Sequence, residues 1–224
     1  MQKKHSKYQQ FAAMCGIVAP ILFVGIFTFE GWIRPGYIPN EKYVSELSLG
    51  DRGLIQIINF IVFGVLFFIF ARAVASEFRN KKVSQTGPTL ITVFAVCLFL
   101  SGLFQMDVMT IPPSQVSLHG IIHGILGGIA FLLMPISCFV FFRRFNQDPT
   151  WSSFATWTLL MSVLLSLTLA LFIVASKFTF GRNIFHKWPG LLQRMVLVPY
   201  LFWLFTFALA FYNKRYNTHN AKNE

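Results

Sequence analysis

Residues 53–71 read GLIQIINFIVFGVLFFIFA and contain no charged side chain. A helix needs about 20 apolar residues to cross the hydrocarbon core of a bilayer. Five further apolar runs of comparable length occupy residues 11–29, 87–106, 117–142, 152–176 and 191–212. Lipid offers the backbone no hydrogen-bond partner, so each run must satisfy its own N–H and C=O groups as a helix. The sequence therefore predicts an all-α integral membrane six-helix bundle, with residues 1–224 forming a single transmembrane domain.

The composition agrees with this fold and excludes several other classes of protein. Of the 224 residues, 55% are hydrophobic and 12% are charged, whereas soluble domains carry about 25% charged residues. These values exclude an ordinary soluble enzyme and a disordered chain. Cys15, Cys97 and Cys138 all lie in apolar runs, so the chain is not a disulfide scaffold. We expect no resident cofactor.

The net charge of +11 is divided unequally between the two sides of the membrane. If the N-terminus is inside, twelve Lys and Arg residues, among them Lys81, Lys82 and Lys222, lie on the inner side and seven lie on the outer side. Cytoplasmic loops are enriched in Lys and Arg, so we predict that both termini are cytoplasmic. The basic clusters lie at the ends of spans, where such residues hold the topology and meet anionic lipid. We therefore expect a membrane-lipid partner and no nucleic-acid partner.

With this threading, the polar residues that could form a site gather on the outer side. Arg52, Gln56 and Asn59 are spaced about one helical turn apart and form one stripe at the start of the second span. The candidate ligand-binding residues are Ser45, Glu46, Asp107, His119, His123 and Arg194. The inner half of the bundle is nearly all apolar. This distribution predicts an outward-facing polar pocket.

His119 and His123 are four residues apart and therefore lie on one face of a helix. Such a pair can bind a metal ion, and Asp107, at the other foot of the same hairpin, could complete a three-ligand site. Two other roles for the histidines stay open, namely hydrogen bonding to neighbouring helices and the binding of a ligand or a proton. No acidic residue lies between them to serve as a general base.

Arg194 lies inside the last apolar run, where an unpaired charge is costly. The expected partner of its guanidinium is Glu46 or Asp107, although a lipid phosphate would serve equally well. The fourth span also carries a row of glycines four residues apart, which predicts a face for close contact with another helix. These glycines are Gly120, Gly124 and Gly128.

Five short motifs follow one another between the spans. They are Pro35-Gly36-Tyr37, Tyr43-Val44-Ser45-Glu46-Leu47, Phe104-Gln105-Met106-Asp107, Leu118-His119-Gly120 and Gly190-Leu191-Leu192-Gln193-Arg194. Their order and placement resemble the prokaryotic membrane family known as domain of unknown function 998, over about residues 12–212. The resemblance implies a multi-pass protein of the cytoplasmic (plasma) membrane of a prokaryote, with no established activity. The polar residues of this chain that match the family's motifs are Ser45, Glu46, Asp107, His119 and Arg194. His123 and His186 are not assigned to those motifs.

Two functions are compatible with these features. The first is a non-enzymatic membrane protein whose outward-facing pocket binds a lipid headgroup or a small amphiphile. The second is a metal-dependent, membrane-embedded hydrolase that acts on a lipid through Asp107, His119 and His123. The residue types of this second function are also loosely similar to those of membrane hydrolases of the alkaline ceramidase kind, without matching spacing. A coupled transporter is less well supported, because no acidic residue lies near the middle of a span.

Overall fold

The structure is a computed structural model that describes residues 2–80 and 83–220. Three of the lysines counted for the topology, Lys81, Lys82 and Lys222, lie outside the described residues. The described residues form seven α-helices and two short 3-10 helices, Val44–Ser48 and Pro113–Gln115, and contain no β-strand. The α-helices are α1 (Gln2–Ile33), α2 (Gly53–Asn80), α3 (Thr86–Leu103), α4 (Leu118–Asn146), α5 (Ser152–Lys177), α6 (Thr179–Ile184) and α7 (Pro189–Asn220).

Six of these helices, all but α6, are long and apolar enough to cross a membrane. The prediction of six spans in an all-α chain is therefore confirmed. Several helices extend beyond the apolar runs that predicted them. The 28 residues of α2 make a helix about 42 Å long, which exceeds the hydrocarbon thickness of about 30 Å. Its charged last turns, with Arg72 and Arg79, thus continue past the lipid core.

The six long helices form a closed ring in chain order. Each packs against the next, α5 packs against α7, and α7 closes the ring against α1. Because consecutive spans run in opposite directions, three connections share one end of the bundle. These are loop 1 (residues 34–52), loop 3 (residues 104–117) and the α5–α7 connection (residues 178–188). We call this the loop end, and the opposite end, which carries both termini, the terminal end.

The interior of the ring is filled by a column of aromatic side chains on α7. Tyr200, Trp203 and Phe207 have no exposed surface. The ring of Tyr200 lies 4.9 Å from that of Phe94 on α3, and the ring of Phe207 lies 5.0 Å from that of Phe141 on α4. Lipid tails are as apolar as these side chains, so close packing rather than hydrophobic transfer holds such a core together.

The glycines of α4 do not make the predicted close helix contact. A Cβ atom added at Gly124 or Gly128 would have no neighbour within 4 Å. The close approaches lie elsewhere, at Gly16 against Phe70 of α2 and at Gly64 of α2 against α3. The prediction was wrong because a row of small residues permits close approach without specifying a partner, and α4 turns other residues toward α3 and α5.

Candidate functional site at the loop end

Arg194, in the first turns of α7, holds loop 1 against the bundle. Its Nη1 atom donates hydrogen bonds to the carbonyl oxygens of Pro39 (2.6 Å) and Lys42 (2.9 Å), and its Nη2 atom donates to the hydroxyl of Tyr37 (2.6 Å). The Tyr37 hydroxyl in turn donates to the carbonyl oxygen of Tyr43 (2.9 Å). The expected partner of Arg194, Glu46 or Asp107, was therefore wrong, because backbone carbonyls and a phenol take that place.

The residues before Arg194 complete this attachment of loop 1. The Gln193 Oε1 atom accepts a hydrogen bond from the backbone N–H of Val44 (2.8 Å), and the Leu191 N–H donates to the carbonyl oxygen of Asn40 (3.0 Å). A Cβ atom at Gly190 would collide with the backbone of loop 1. The segment 190–194 therefore acts as a clamp on loop 1, which we call the α7 clamp.

Ser45 and Glu46 lie in the 3-10 helix of loop 1 and support its local turn. The Glu46 Oε1 atom accepts a hydrogen bond from the backbone N–H of Tyr43 (2.8 Å). Ser45 is buried, and its carbonyl oxygen accepts from the Ser48 hydroxyl (2.7 Å). Burial in this loop raises the pKa of the Tyr37 and Tyr43 phenols above 10.0, although the nearby Arg194 cation opposes the rise at Tyr37.

Asp107 caps the start of α4 from the other side of loop 3. Its Oδ2 atom accepts a hydrogen bond from the backbone N–H of Ser117 (2.7 Å), and the Ser117 hydroxyl accepts from the N–H of Gly120 (3.0 Å). An added Cβ at Gly120 would collide with the Asp107 carboxylate. A carboxylate at a helix N-terminus is favoured by the helix dipole and by the unpaired N–H groups there.

The two histidines of α4 point to different surroundings. His123 is buried, and its Nδ1 atom donates a hydrogen bond to the carbonyl oxygen of Phe104 (2.8 Å). His119 is exposed, and its ring lies 5.4 Å from the ring of Phe104. Within residues 2–80 and 83–220, no three His, Cys, Asp or Glu side chains lie close enough together to hold a metal ion.

The six candidate residues thus fall into two groups at the same end of the bundle. Ser45, Glu46 and Arg194 belong to loop 1 and the α7 clamp, whereas Asp107, His119 and His123 belong to loop 3 and α4. A hydrogen bond from Gln105 Nε2 to the carbonyl oxygen of Ser48 (2.9 Å) joins loop 3 to loop 1. Among the side chains described, no hydrogen bond or ion pair directly joins a candidate of one group to a candidate of the other.

A charged cluster that the sequence reasoning missed lies where α1 and α2 meet loop 1. Glu30 is buried, and Arg52 binds it through two hydrogen bonds, Nε to Oε2 (3.0 Å) and Nη2 to Oε1 (2.5 Å). Arg34 Nη2 lies 3.6 Å from Glu30 Oε2. The sequence carries a signal for this cluster, because Glu30 is an acid at the end of the first apolar run and Arg52 is a base just before the second. Antiparallel neighbouring helices bring two such positions together.

The predicted stripe on α2 continues from this cluster into the bundle. Asn59 Nδ2 donates to the Gln56 Oε1 atom (3.1 Å) and to the carbonyl oxygen of Phe23 on α1 (3.1 Å). Gln56 has no exposed surface, and its Nε2 atom has no hydrogen-bond acceptor. The Nε and Nη2 atoms of Arg34 are likewise buried without an acceptor. Three buried nitrogen donors at the loop end thus have no acceptor within hydrogen-bond distance.

The fold and the hydrogen-bonded loop end define the class of this molecule, an α-helical protein that crosses the membrane several times. Within that class, the model of the family described as protein of unknown function (DUF998) matches residues 17–210. The chain belongs to this family, whose description assigns no activity. Comparisons with curated proteins and with solved structures find no match.

Proposed function

We propose that this protein binds the headgroup of a membrane lipid, or a small amphiphile, at the loop end, without acting as an enzyme. The observation that carries the proposal is the concentration of buried polar side chains at this end. They include Glu30, Ser45, Ser48, Gln56, Asn59, His123 and Gln193. Buried polar groups are costly unless they are paired, so proteins keep them where they serve a structure or a ligand.

The two groups of candidate residues have different parts in this proposal. Arg194 and Glu46 form their hydrogen bonds with loop 1, so they shape the site by holding that loop in place. His119 is exposed, and Asp107 is half-buried with one carboxylate oxygen bonded to Ser117. Of the six candidate residues, these two have side chains that a headgroup can reach in this conformation. The proposed ligand contact is therefore the rim formed by loop 3 and the start of α4.

The predicted orientation supports a lipid as the partner. With both termini in the cytoplasm, the loop end faces the outer side of the cytoplasmic membrane of a prokaryote. Loop 1 and loop 3 then lie at the depth of the polar headgroups, next to exposed apolar side chains such as Trp32, which is 82% exposed. A ligand with a polar head and an apolar tail fits such a boundary better than a fully polar solute does.

Native mass spectrometry of the protein purified in a mild detergent tests the proposal. We expect wild-type protein to retain a lipid-sized ligand, and His119→Ala to retain clearly less. His186→Ala is the matched control, because His186 is also exposed at the loop end but bonds only to the carbonyl oxygen of Asn183. If wild-type protein carried no ligand in any detergent or native-lipid disc, the proposal would be abandoned.

The metal-dependent hydrolase is the second candidate, and one observation favours it. The Asp107 carboxylate lies against Gly120, the residue next to His119, so a carboxylate and a histidine are neighbours on one hairpin. Asp107, His119 and His123 would have to rearrange to share one ion, because His123 is bonded to Phe104. Elemental analysis of purified protein decides between the two. One equivalent of a transition metal, lost in His119→Ala, would support the hydrolase.

A further inference from the structure

Arg34 lies directly after α1, and only one nitrogen of its guanidinium makes a hydrogen bond within the described residues. Its Nη1 atom donates to the carbonyl oxygen of Leu49 (3.0 Å). Its Nε and Nη2 atoms are buried and have no hydrogen-bond acceptor, and the Glu30 carboxylate lies 3.6 Å from Nη2. A buried donor without an acceptor costs about 1–3 kcal/mol. The Nε and Nη2 atoms of Arg34 are therefore two buried donors without an acceptor at hydrogen-bond distance.

These two atoms form the edge of arginine that binds oxyanions. The Nε–H and one Nη–H point in the same direction and match two oxygens of a carboxylate or a phosphate. The neighbouring Arg52 shows this use, since its Nε and Nη2 atoms bind the two oxygens of Glu30. Arg34 has the same edge free of any hydrogen bond. No oxygen of the described residues lies within hydrogen-bond distance of this edge, and the Glu30 carboxylate contacts Nη2 only through an ion pair of 3.6 Å.

The charges around Arg34 also favour an anion. Glu30 forms ion pairs with two arginines, of which Arg52 alone makes hydrogen bonds to it, so the three side chains together keep one positive charge. The side chain of Arg34 is 13% exposed and that of Glu30 is 3% exposed, so water screens the charge poorly. Arg194, on the far side of loop 1, binds carbonyl oxygens and the Tyr37 hydroxyl but no carboxylate. Burial of an uncompensated charge is unfavourable, and a bound anion would relieve it.

Gln56 is a second residue at the loop end with a buried donor that has no acceptor. It lies in the first turn of α2, four residues after Arg52. Its Oε1 atom accepts from Asn59, but its Nε2 atom has no acceptor and the residue has no exposed surface. Four buried side-chain atoms among the described residues lack a hydrogen-bond partner: three are nitrogen donors of Arg34 and Gln56, and the fourth is the Ser176 hydroxyl, which can donate or accept. The three nitrogens suit a ligand that supplies oxygen acceptors.

We propose that Arg34 binds a phosphate group through its Nε–Nη2 edge, supplied either by a phospholipid headgroup or by free phosphate. This assignment rests on the proposed function and names the chemical group that the loop end recognises. Arg34 is the first residue after the apolar helix α1, which is the depth at which headgroup phosphates lie. Both nitrogens are covered in this conformation, so binding of the phosphate requires a shift of the residues that cover them.

Isothermal titration of the purified full-length protein in an uncharged detergent tests the assignment. The probes are dihexanoyl phosphatidic acid, dihexanoylglycerol, which lacks the phosphate, and sodium phosphate. The informative variant is Arg34→Lys, which keeps the charge and a donor for Leu49 but loses the two-donor edge. Arg182→Lys is the control, because Arg182 is an exposed base at the same end of the bundle. Thermal unfolding checks that each variant is folded, and Arg34→Gln replaces Arg34→Lys if that variant does not fold.

We expect the phosphatidic acid to bind wild type and Arg182→Lys equally. Its affinity for Arg34→Lys should be about tenfold lower or worse, since one charge-assisted hydrogen bond is lost. If sodium phosphate binds wild type much more weakly than phosphatidic acid does, the natural ligand is a phospholipid. If sodium phosphate binds as tightly as phosphatidic acid, and this binding is also lost in Arg34→Lys, the natural ligand is free phosphate. Equal affinity of wild type and Arg34→Lys, or binding of dihexanoylglycerol as tight as that of phosphatidic acid, overturns the assignment.

The two proposals can fail separately. If wild-type protein retains a lipid that His119→Ala loses, while Arg34→Lys leaves phosphatidic acid binding unchanged, the lipid-binding function stands and the phosphate assignment falls. If wild-type protein retains no ligand and binds none of the three probes, both proposals fall.

Discussion

At the residue scale, Gly190 is where loop 1 comes closest to α7. A methyl group at this position would overlap the carbonyl oxygens of Lys42 and Pro39, whereas a methyl group at Gly124 would meet no atom within 4 Å. We expect Gly190→Ala to destabilise the protein by about 1–3 kcal/mol, because the backbone of loop 1 must shift. Gly124→Ala should be neutral or stabilising by up to about 1 kcal/mol, because alanine favours the helix.

Thermal unfolding in detergent measures both substitutions under the same conditions. Each changes one glycine of a long helix to alanine, so a difference between them reports the contact with loop 1 and not helix propensity. Equal melting temperatures for the two variants would show that the α7 clamp does not hold loop 1 in the way described.

The sequence locates the important polar residues better than it identifies their partners. Arg194 is conspicuous in the sequence because a cation lies in an apolar run, and it does make a network of hydrogen bonds. Its acceptors are mainly backbone carbonyl oxygens, which every residue possesses and which therefore leave no trace in a sequence. The same reasoning missed Arg34, because the charge of a residue just outside a span looks like an ordinary loop charge.

At the element scale, α7 differs from the other spans because one of its faces fills the interior of the ring. Phe207 has no exposed surface and contacts rings on α2 and α4, whereas Phe202 is 51% exposed on the same helix. We expect Phe207→Ala to cost about 3–5 kcal/mol through the cavity it leaves. Phe202→Ala should change stability by less than about 1 kcal/mol, because lipid replaces the lost side chain.

Chemical denaturation followed by tryptophan fluorescence compares these two variants, since Phe207 packs against the buried Trp203 and Phe202 packs against the half-buried Trp157. Phe202→Ala is the control, because it removes a phenyl ring from the exposed face of the same helix. If the two substitutions cost the same, the Phe207 face of α7 does not fill the interior of the ring.

Loop 1 carries two buried phenols, and they predict a loss of stability at alkaline pH. Burial raises the pKa of Tyr37 and Tyr43 above 10.0. At pH values just above 10 the native protein keeps these protons while the unfolded chain has lost them, so the free energy of unfolding falls as the pH rises. Below pH 10 both states hold the protons and the two tyrosines cause no change.

Melting temperatures measured between pH 8 and pH 11 test this expectation. The double variant Tyr37→Phe/Tyr43→Phe will be less stable at every pH, because Arg194 loses the Tyr37 hydroxyl as acceptor. Its decline above pH 10 should nevertheless be shallower than that of the wild type. The same slope in both proteins would mean that other groups cause the alkaline unfolding.

The spans themselves were predictable because hydropathy measures where lipid begins and ends. The predicted run 53–71 begins at the first residue of α2, but the helix continues to Asn80. Backbone hydrogen bonds do not stop at the lipid boundary, so hydropathy underestimates helix length there. The predicted run 87–106 is too long, since α3 ends at Leu103 and the extended Phe104 offers its carbonyl oxygen to His123. Such a tertiary contact has no sequence signature.

At the scale of the whole molecule, the ring of helices leaves the two ends of the bundle with different chemistry. The loop end carries Glu30, Glu46 and Asp107 in hydrogen-bonded positions, together with arginines that bind carbonyls and carboxylates. The terminal end carries more bases than acids in the orientation count. This asymmetry underlies both the predicted topology and the proposed site, so a test of the topology also bears on the function.

Cysteine labelling measures the topology directly. Cys15, Cys97 and Cys138 are buried, so a membrane-impermeant maleimide should react slowly with the native protein. Asn183 lies exposed at the loop end and Asn213 lies exposed at the terminal end, which makes Asn183→Cys and Asn213→Cys a matched pair. Because Lys and Arg prefer the cytoplasmic side, we expect Asn183→Cys to be labelled on intact cells and Asn213→Cys only after the cells are permeabilised. The reverse pattern would place loop 1 and loop 3 in the cytoplasm, and any headgroup bound there would then belong to the inner leaflet.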